Sequence, residues 1–111
     1  MTEENRVHPR FTVNQFVSIS YDGESFIKVS AEDISQGGMS CKAEEAVHPL
    51  TNVYLILTIP TQNGDHVLKT EGKVVRCQEI DDNYLLGVKF SDLFESDKEV
   101  LNDYLSLLPS Q

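Results

Sequence analysis

Turn signals separate short segments of alternating apolar and polar residues along most of this chain, and this pattern restricts its fold more than any other feature. Asp22-Gly23, Asn63-Gly64 and Asp81-Asp82-Asn83 are typical of turns between neighbouring strands. Alternation at every second residue directs apolar side chains to one face of a strand. Such closely spaced segments predict an all-β fold with about six antiparallel strands that close into a small barrel.

Two irregularities interrupt the predicted strands. The alternation at Phe11 and Val13 breaks before it resumes at Val17 and Ile19, which is typical of a β-bulge. Gly87 lies inside the last predicted strand, where a glycine indicates a bulge or a close approach by another group. We therefore expect local distortion in the first and last strands.

The end of the chain changes to helical spacing. We expect one amphipathic helix over about residues 96–108, packed on the barrel and stopped by Pro109. Ser96 and Glu99 are spaced as a capping box at its start. Its apolar face consists of Val100, Leu101, Tyr104, Leu105 and Leu108.

The length of 111 residues is typical of one domain. We expect residues 1–10 to form a flexible N-terminal arm and residues 11–108 to form the barrel with its helix. The acidic start of the chain lacks the regions of a signal peptide, and no apolar run is long enough to span a bilayer. Cys41 and Cys77 are too few for a disulfide framework. These features predict a cytoplasmic protein without membrane insertion.

The formal net charge of −9 argues against DNA or RNA as a partner. Binding to a nucleic-acid backbone requires a stripe of Lys and Arg that releases counterions. The nine basic residues are scattered along this chain, and there is no Trp for stacking on single strands. A small anion requires only a few converging cations, so it is compatible with this composition.

No arrangement in the sequence indicates catalysis. His8, His48 and His66 lack the spacing of metal ligands, and no nucleophile elbow or acid–base pattern is present. The prediction is a protein that is not an enzyme and that uses no metal and no cofactor.

Two polar motifs contain the candidate binding chemistry. Arg6-Val7-His8-Pro9-Arg10 places two of the three arginines of the chain just before the first predicted strand. Asp33-Ile34-Ser35-Gln36-Gly37-Gly38 places a carboxylate, a hydroxyl and two glycines on a loop. Taken separately, the first motif also fits two solvated arginines, and the second fits a turn at a strand end. Together they supply planar cations, an acceptor for a base edge and bare backbone, which suits a guanine nucleotide.

With both motifs intact and in this order, the chain resembles the PilZ domain family, the bacterial receptor module for cyclic di-GMP. The resemblance extends from Arg6 to the helix near Leu108, and it includes Gly72-Lys73-Val74-Val75-Arg76. It implies a six-stranded antiparallel barrel with a C-terminal helix, in agreement with the strand pattern. It also implies a second-messenger receptor that binds cyclic di-GMP and signals to an effector protein.

The resemblance implies a set of ligand contacts. Arg6 and Arg10 would bind phosphate oxygens or a guanine edge, because a guanidinium forks to O6 and N7 and stacks on purines. An ionised Asp33 only accepts hydrogen bonds, which suits the N1–H and N2–H donors of guanine. Ser35 would bind a phosphate or the base.

The remaining implied contacts are less specific. Gly38, with Gly37, would let the backbone approach the ligand and adopt a positive φ. Arg76 would stack on a second guanine, although an exposed strand arginine paired with an acid fits this position as well. Asn5 stands where many relatives carry a second arginine, and that position is associated with binding of one ligand or an intercalated pair.

Two hypotheses for the function follow. In the first, the protein is a stand-alone receptor in which cyclic di-GMP orders the arm bearing Arg6 and Arg10 and so changes the surface offered to an effector protein. In the second, it is an adaptor of the same fold that binds protein partners regardless of nucleotide. The intact motifs favour the receptor.

Overall fold

The fold is described by a computed structural model for residues 11–91 and 93–108, with the side chain of Asn14 excepted. The predicted N-terminal arm, residues 1–10, lies outside the described residues. The elements are, in chain order, β1 (Phe11–Ser20), β2 (Ile27–Ile34), β3 (Gly38–Ala43), β4 (Asn52–Thr61), β5 (Gly64–Ile80), β6 (Asn83–Phe90) and α1 (Glu95–Leu105).

The strands form one closed barrel in which every pair of neighbours is antiparallel. Their order around the barrel is β1-β2-β3-β6-β5-β4, and β4 closes it against β1. The predicted six-stranded antiparallel barrel with a C-terminal helix is therefore confirmed. Because β6 is inserted between β3 and β5, residues distant in sequence become neighbours on the barrel surface.

Turns occur where the sequence predicts them. Gln62–Asn63 joins β4 to β5, and Asp81–Asp82 joins β5 to β6. Gly64 has a φ of +104°, so the Asn-Gly signal marks a position where glycine avoids strain. Asp81 has a φ of +55°, a left-handed value that Asp tolerates better than most residues do.

The connection from β1 to β2 contains the predicted Asp-Gly turn within a longer loop, residues 21–26. The Asp22 carboxylate accepts hydrogen bonds from the backbone N–H groups of Ser25 and Glu24 at 2.9 and 2.8 Å. These bonds hold the pKa of Asp22 below its usual value. Gly23 adopts a φ of +83°, which reverses the chain. The side chain of Asp22 thus organises a loop wider than a two-residue hairpin turn.

Inward-facing residues of all the strands fill the barrel. Their alternation with exposed residues is the period-two pattern that the sequence displays. Burial of such side chains contributes about 25 cal/mol per Å² of apolar surface, so the barrel interior is the main source of stability. Among the described residues, the apolar side chains with no exposed surface are Ile19, Met39, Cys41, Val53, Ile59, Val74 and Leu86.

Bulges interrupt this alternation in β1, β2 and β5. The β1 bulge lies between Thr12 and Gln15, where the broken alternation predicts it. The extra residue is Glu32 in β2 and Val75 in β5. An extra residue exchanges the inward and outward positions that follow it.

Helix α1 starts without the predicted cap. Phe94 is the N-cap residue, has an extended backbone, and makes no side-chain hydrogen bond to the helix. The predicted capping box is therefore wrong, because Ser96 lies within the first helical turn. The backbone N–H of Lys98 already bonds to the Phe94 carbonyl at 3.0 Å. Glu95 and Asp97 still place negative charge at the positive end of the helix.

The helix also ends before the predicted boundary of residue 108. Leu105 is its last residue, and Ser106 is the C-cap. The backbone N–H groups of Leu107 and Leu108 bond to carbonyls three residues earlier, so a tighter turn satisfies the last carbonyls. Within the described residues, no helix has the length and apolar character needed to cross a bilayer.

Two polar contacts fix α1 on the barrel. The Tyr104 hydroxyl donates a hydrogen bond of 2.8 Å to Oε1 of Gln15, which follows the β1 bulge. His66 Nε2 lies 2.9 Å from Asp97 Oδ1 and joins β5 to the first helical turn. The apolar part of the contact consists of Leu101, Leu105 and the partly buried Val100, Tyr104 and Leu108.

Replacing Tyr104 with phenylalanine is expected to lower the free energy of unfolding by about 1–2 kcal/mol, because the Gln15 amide loses this partner while the ring stays packed. Urea denaturation followed by circular dichroism measures the change. Tyr54→Phe is the control, since the Tyr54 ring is 41% exposed and its hydroxyl makes no hydrogen bond with a described residue. An equal loss in both variants would contradict the assigned role of the Tyr104 hydroxyl.

Candidate functional site

Asp33 lies near the end of β2, in register with Thr12 of β1 and Ser40 of β3. Strict alternation from the buried Ala31 would place its side chain inside the barrel. The extra residue Glu32 instead turns Asp33 to the outer surface. Its carboxylate is therefore half-buried on the outside of the barrel, where a ligand can reach it.

Ser35 shapes the loop that follows β2. Its backbone N–H donates to the Gly38 carbonyl at 2.8 Å, and its hydroxyl donates to the same oxygen at 3.3 Å. Ser35 Oγ also accepts a hydrogen bond of 3.2 Å from the Gly37 N–H. Ser35 is only 4% exposed, so its hydroxyl stabilises the turn beside Asp33. A hydrogen bond from this hydroxyl to a ligand would replace one of these contacts.

The two glycines attach this loop to β6. The Gly37 carbonyl accepts a hydrogen bond of 2.8 Å from the Phe90 N–H. A Cβ on Gly38 would lie 2.1 Å from the carbonyl oxygen of Val88. The φ of Gly38 is not in the positive range, so the prediction of a positive φ is wrong for this residue. Gly38 is required because the backbone of β6 passes too close for any side chain.

Arg76 lies on the outer face of β5, opposite Gly87 of β6. The extra residue Val75 directs it outward, since strict alternation from the buried Val74 would direct it into the core. A Cβ on Gly87 would lie 3.4 Å from Arg76 Cβ and 3.6 Å from its Nε and Nη2. Arg76 therefore folds over Gly87, which confirms the close approach predicted at this glycine. Among the described residues, no carboxylate pairs with Arg76.

One row of residues connects these positions along the outer side of the barrel wall, with Ser40 and Gly87 buried between the partly exposed Asp33 and the exposed Arg76. The register of successive strand pairs runs through Thr12, Asp33, Ser40, Gly87 and Arg76. We call this the Asp33–Arg76 row. Neighbouring strands lie about 4.8 Å apart, so three strand spacings place the backbones of Asp33 and Arg76 roughly 14 Å apart. The row has a hydrogen-bond acceptor at one end, a planar cation at the other, and only small residues between them.

The sequence patterns did not identify Ser40 as part of the row, nor the bulges at Glu32 and Val75. One signal was available. Consecutive inward-facing residues are three apart from Ala31 to Ile34, whereas a regular strand spaces them by two. Membership of the row itself depends on which strands pair, and the order β3-β6-β5 is not encoded in any local pattern.

Cys41 lies behind the row, in the barrel core. Burial, with a smaller contribution from the carboxylates of Asp33 and Glu32, raises the pKa of its thiol to about 12. The thiol therefore stays protonated near neutral pH and is a poor nucleophile. In residues 11–91 and 93–108, no group of three His, Cys, Asp or Glu side chains is arranged to hold a metal ion. The absence of catalysis and of a cofactor stays a prediction.

The other predicted contacts, Asn5, Arg6 and Arg10, lie outside the described residues. Arg10 immediately precedes Phe11, whose backbone is in register with Ile34 at the end of β2. The chain therefore enters β1 beside the Asp33 end of the row. Contacts of these three residues with a ligand stay predictions.

The family model described as PilZ domain matches residues 4–107 of this chain. The chain belongs to the PilZ domain family. The PilZ match includes both polar motifs and helix α1, so the resemblance inferred from the motifs is confirmed. No match was found among curated protein sequences.

Solved structures share the PilZ barrel of this chain at low sequence identity. MotI/DgrA, the inhibitor of motility from Bacillus subtilis, is 21% identical with a TM-score of 0.81, over 92% of this chain and 50% of that one. The PilZ domain of YcgR from Escherichia coli, solved with c-di-GMP, is 15% identical with a TM-score of 0.73, over 94% of this chain and 91% of that one. MrkH from K. pneumonia, in a c-di-GMP complex, is 16% identical with a TM-score of 0.68, over 92% of this chain and 50% of that one. This PilZ chain thus spans half the length of MotI/DgrA and MrkH, and the likeness establishes the fold.

Proposed function

We propose that this protein is a receptor for cyclic di-GMP, which binds on the outer surface of the barrel along the Asp33–Arg76 row. The observation that carries the proposal is the row itself, because two separate bulges turn Asp33 and Arg76 outward onto one surface. Family membership and the c-di-GMP bound in the YcgR and MrkH structures support the choice of ligand.

The chemistry of the row suits a ligand with two guanine bases. The Asp33 carboxylate accepts hydrogen bonds from the N1–H and N2–H groups of one guanine. The guanidinium of Arg76 offers a flat cation on which a second purine stacks. Ser40 and Gly87 lie between them, and because both have small side chains, Arg76 can lie flat against the barrel over Gly87.

Arg6 and Arg10 complete the proposed site from the segment before β1. Their guanidinium groups bind phosphate oxygens or guanine edges, while Ser35, Gly37 and Gly38 form the opposite wall. Binding orders this segment, and the altered surface is what an effector protein recognises. Protection of residues 1–10 from hydrogen exchange on addition of ligand tests this step, and unchanged exchange would contradict it.

The test of the proposed function is calorimetric titration of the full chain with cyclic di-GMP. A micromolar dissociation constant, which corresponds to about −8 kcal/mol, is the expected result. GMP and cyclic di-AMP are the controls, because they lack the second base or the guanine edge. Equal binding of cyclic di-AMP, or no heat with cyclic di-GMP, would overturn the proposal. The same titration gives the number of ligands bound per chain, and so shows whether a chain with Asn5 at this position binds one ligand or an intercalated pair.

The proposal includes neither DNA nor RNA as a partner. A structure of MrkH describes that protein as a c-di-GMP-dependent transcription regulatory factor. For this chain we expect no binding to DNA or RNA, because its net charge of −9 would repel a polyanion. A mobility-shift assay with and without cyclic di-GMP tests this. A cytoplasmic location stays a prediction.

The alternative function is an adaptor that binds protein partners regardless of nucleotide. An effector that binds this protein equally well with and without cyclic di-GMP would support that alternative.

A further inference from the structure

Two lysines lie opposite each other beside the Asp33–Arg76 row. Lys73 of β5 is in register with Lys89 of β6, and both side chains are exposed. They share the outer face of the barrel with Arg76, because Lys89 is two residues from Gly87 along β6. On the other side of β6, Lys89 is in register with Gly38. The lysines therefore border both the row and the Ser35–Gly38 loop.

This arrangement is unfavourable in the absence of an anion. Like charges at directly opposite positions of an antiparallel pair destabilise a sheet. Among the described residues, no carboxylate lies within ion-pair distance of Lys73, Lys89 or Arg76. Glu71 is the next outward residue before Lys73 on β5, and it makes no such pair. In a chain with nine basic residues and a net charge of −9, three adjacent cations without acidic partners indicate a site for an anion.

Lys89 also faces the loop that carries the second motif. It lines a cavity of about 250 Å³ together with Gln36, Gly37 and Lys98. Two residues along a strand span about 6.8 Å, and this is the backbone distance from Lys89 to Gly87 in the row. An anion between the lysines would therefore be close enough to belong to the same molecule as a base held by Arg76.

We infer that Lys73 and Lys89 extend the nucleotide site and hold a phosphodiester group of cyclic di-GMP between them. The inference rests on the proposed function. A lysine ammonium binds phosphate as a compact point charge, and two of them on facing strands can contact one phosphate together. An acidic segment of a protein partner is a different occupant, which the experiment distinguishes.

The test compares Lys73→Gln and Lys89→Gln with Lys69→Gln in calorimetric titrations with cyclic di-GMP. Lys69 is the matched control, because it is an exposed lysine on the same strand and the same face as Lys73. We expect roughly 3- to 10-fold weaker binding in each of the first two variants and less than about 2-fold in the control. Raising the salt from about 50 mM to about 500 mM should weaken cyclic di-GMP binding more in the wild type than in a variant that combines Lys73→Gln with Lys89→Gln.

A Lys73→Glu variant adds a readout without ligand. It places opposite charges on facing strands, so the melting temperature of the free protein should rise by about 1–5 °C while nucleotide binding weakens. If the wild type binds cyclic di-GMP and both glutamine variants bind equally well, this inference is overturned and the proposed function stands. If the wild type binds none, both are overturned. Unchanged nucleotide affinity with weaker capture of an effector would assign the lysines to a protein contact instead.

Discussion

A Gly38→Ala variant is expected to lose about 3 kcal/mol of folding stability, because its new Cβ has no space. That atom would lie 2.1 Å from the Val88 carbonyl oxygen, 3.1 Å from the Val88 carbonyl carbon and 3.2 Å from Lys89 Cα. All three are backbone atoms, so no flexible side chain can move aside. β3 and β6 must separate instead, which also strains the hydrogen bond between Phe90 and Gly37.

Gly87→Ala is the matched control for this prediction. Its Cβ would meet only the Arg76 side chain, at 3.4 to 3.6 Å, and that side chain can turn away. We expect a change below about 1 kcal/mol in the control, since reduced freedom of the unfolded chain offsets part of the cost. Urea denaturation measures both variants. A Gly38→Ala protein as stable as the wild type would contradict the steric role of this glycine.

This result would change how a glycine in the second motif is interpreted. Loss of cyclic di-GMP binding in a Gly38 variant is expected from the folding defect alone. Such a loss therefore does not identify a ligand contact, and binding should be compared only among variants of equal stability. Gly87→Ala, which keeps the barrel but displaces Arg76, is the more informative test of the row.

Arg10→Ala is expected to weaken cyclic di-GMP binding by roughly 10- to 150-fold without a change in stability. The loss of one charge-assisted hydrogen bond costs about 1.5–3 kcal/mol, which gives that range. Arg10→Lys should recover only part of the affinity, because lysine keeps the charge but not the planar fork. Calorimetry measures the affinities, and circular dichroism confirms the fold.

Lys28→Ala is the control for the arginine variants. Lys28 is an exposed cation at the far end of β2 from Asp33, in register with Ser18, so its removal should leave affinity unchanged. An Arg10→Ala protein that binds as tightly as the wild type would remove the segment before β1 from the proposed site. Equal weakening in the Lys28 variant would attribute the effect to net charge.

Local patterns predict the elements of this fold well. The turn signals at Asn63-Gly64 and Asp81-Asp82 and the period-two alternation depend only on nearby residues, and the barrel confirms them. The capping box predicted at Ser96 is wrong because the helix already begins at Glu95, with Phe94 as its N-cap. A local pattern predicts that a helix exists more reliably than it predicts the residue at which the helix begins.

The candidate site is only partly predictable, because several of its features depend on how distant strands pair. Asp33 and Ser35 are found from their motif, but the steric need for Gly38 depends on β6, which lies about 50 residues later. The outward direction of Arg76 depends on the extra residue Val75. The pairing of Lys73 with Lys89 requires the register of β5 and β6, which becomes visible only in the folded barrel.

The Asp33–Arg76 row lies on the outside of a closed barrel, and this position has a consequence for recognition. The barrel interior is filled by its own side chains, so it cannot enclose a nucleotide. One side of a nucleotide on the row must face away from the barrel, toward residues 1–10, a second nucleotide or another protein. An effector that docks there would contact the bound nucleotide directly, so the messenger would form part of its epitope.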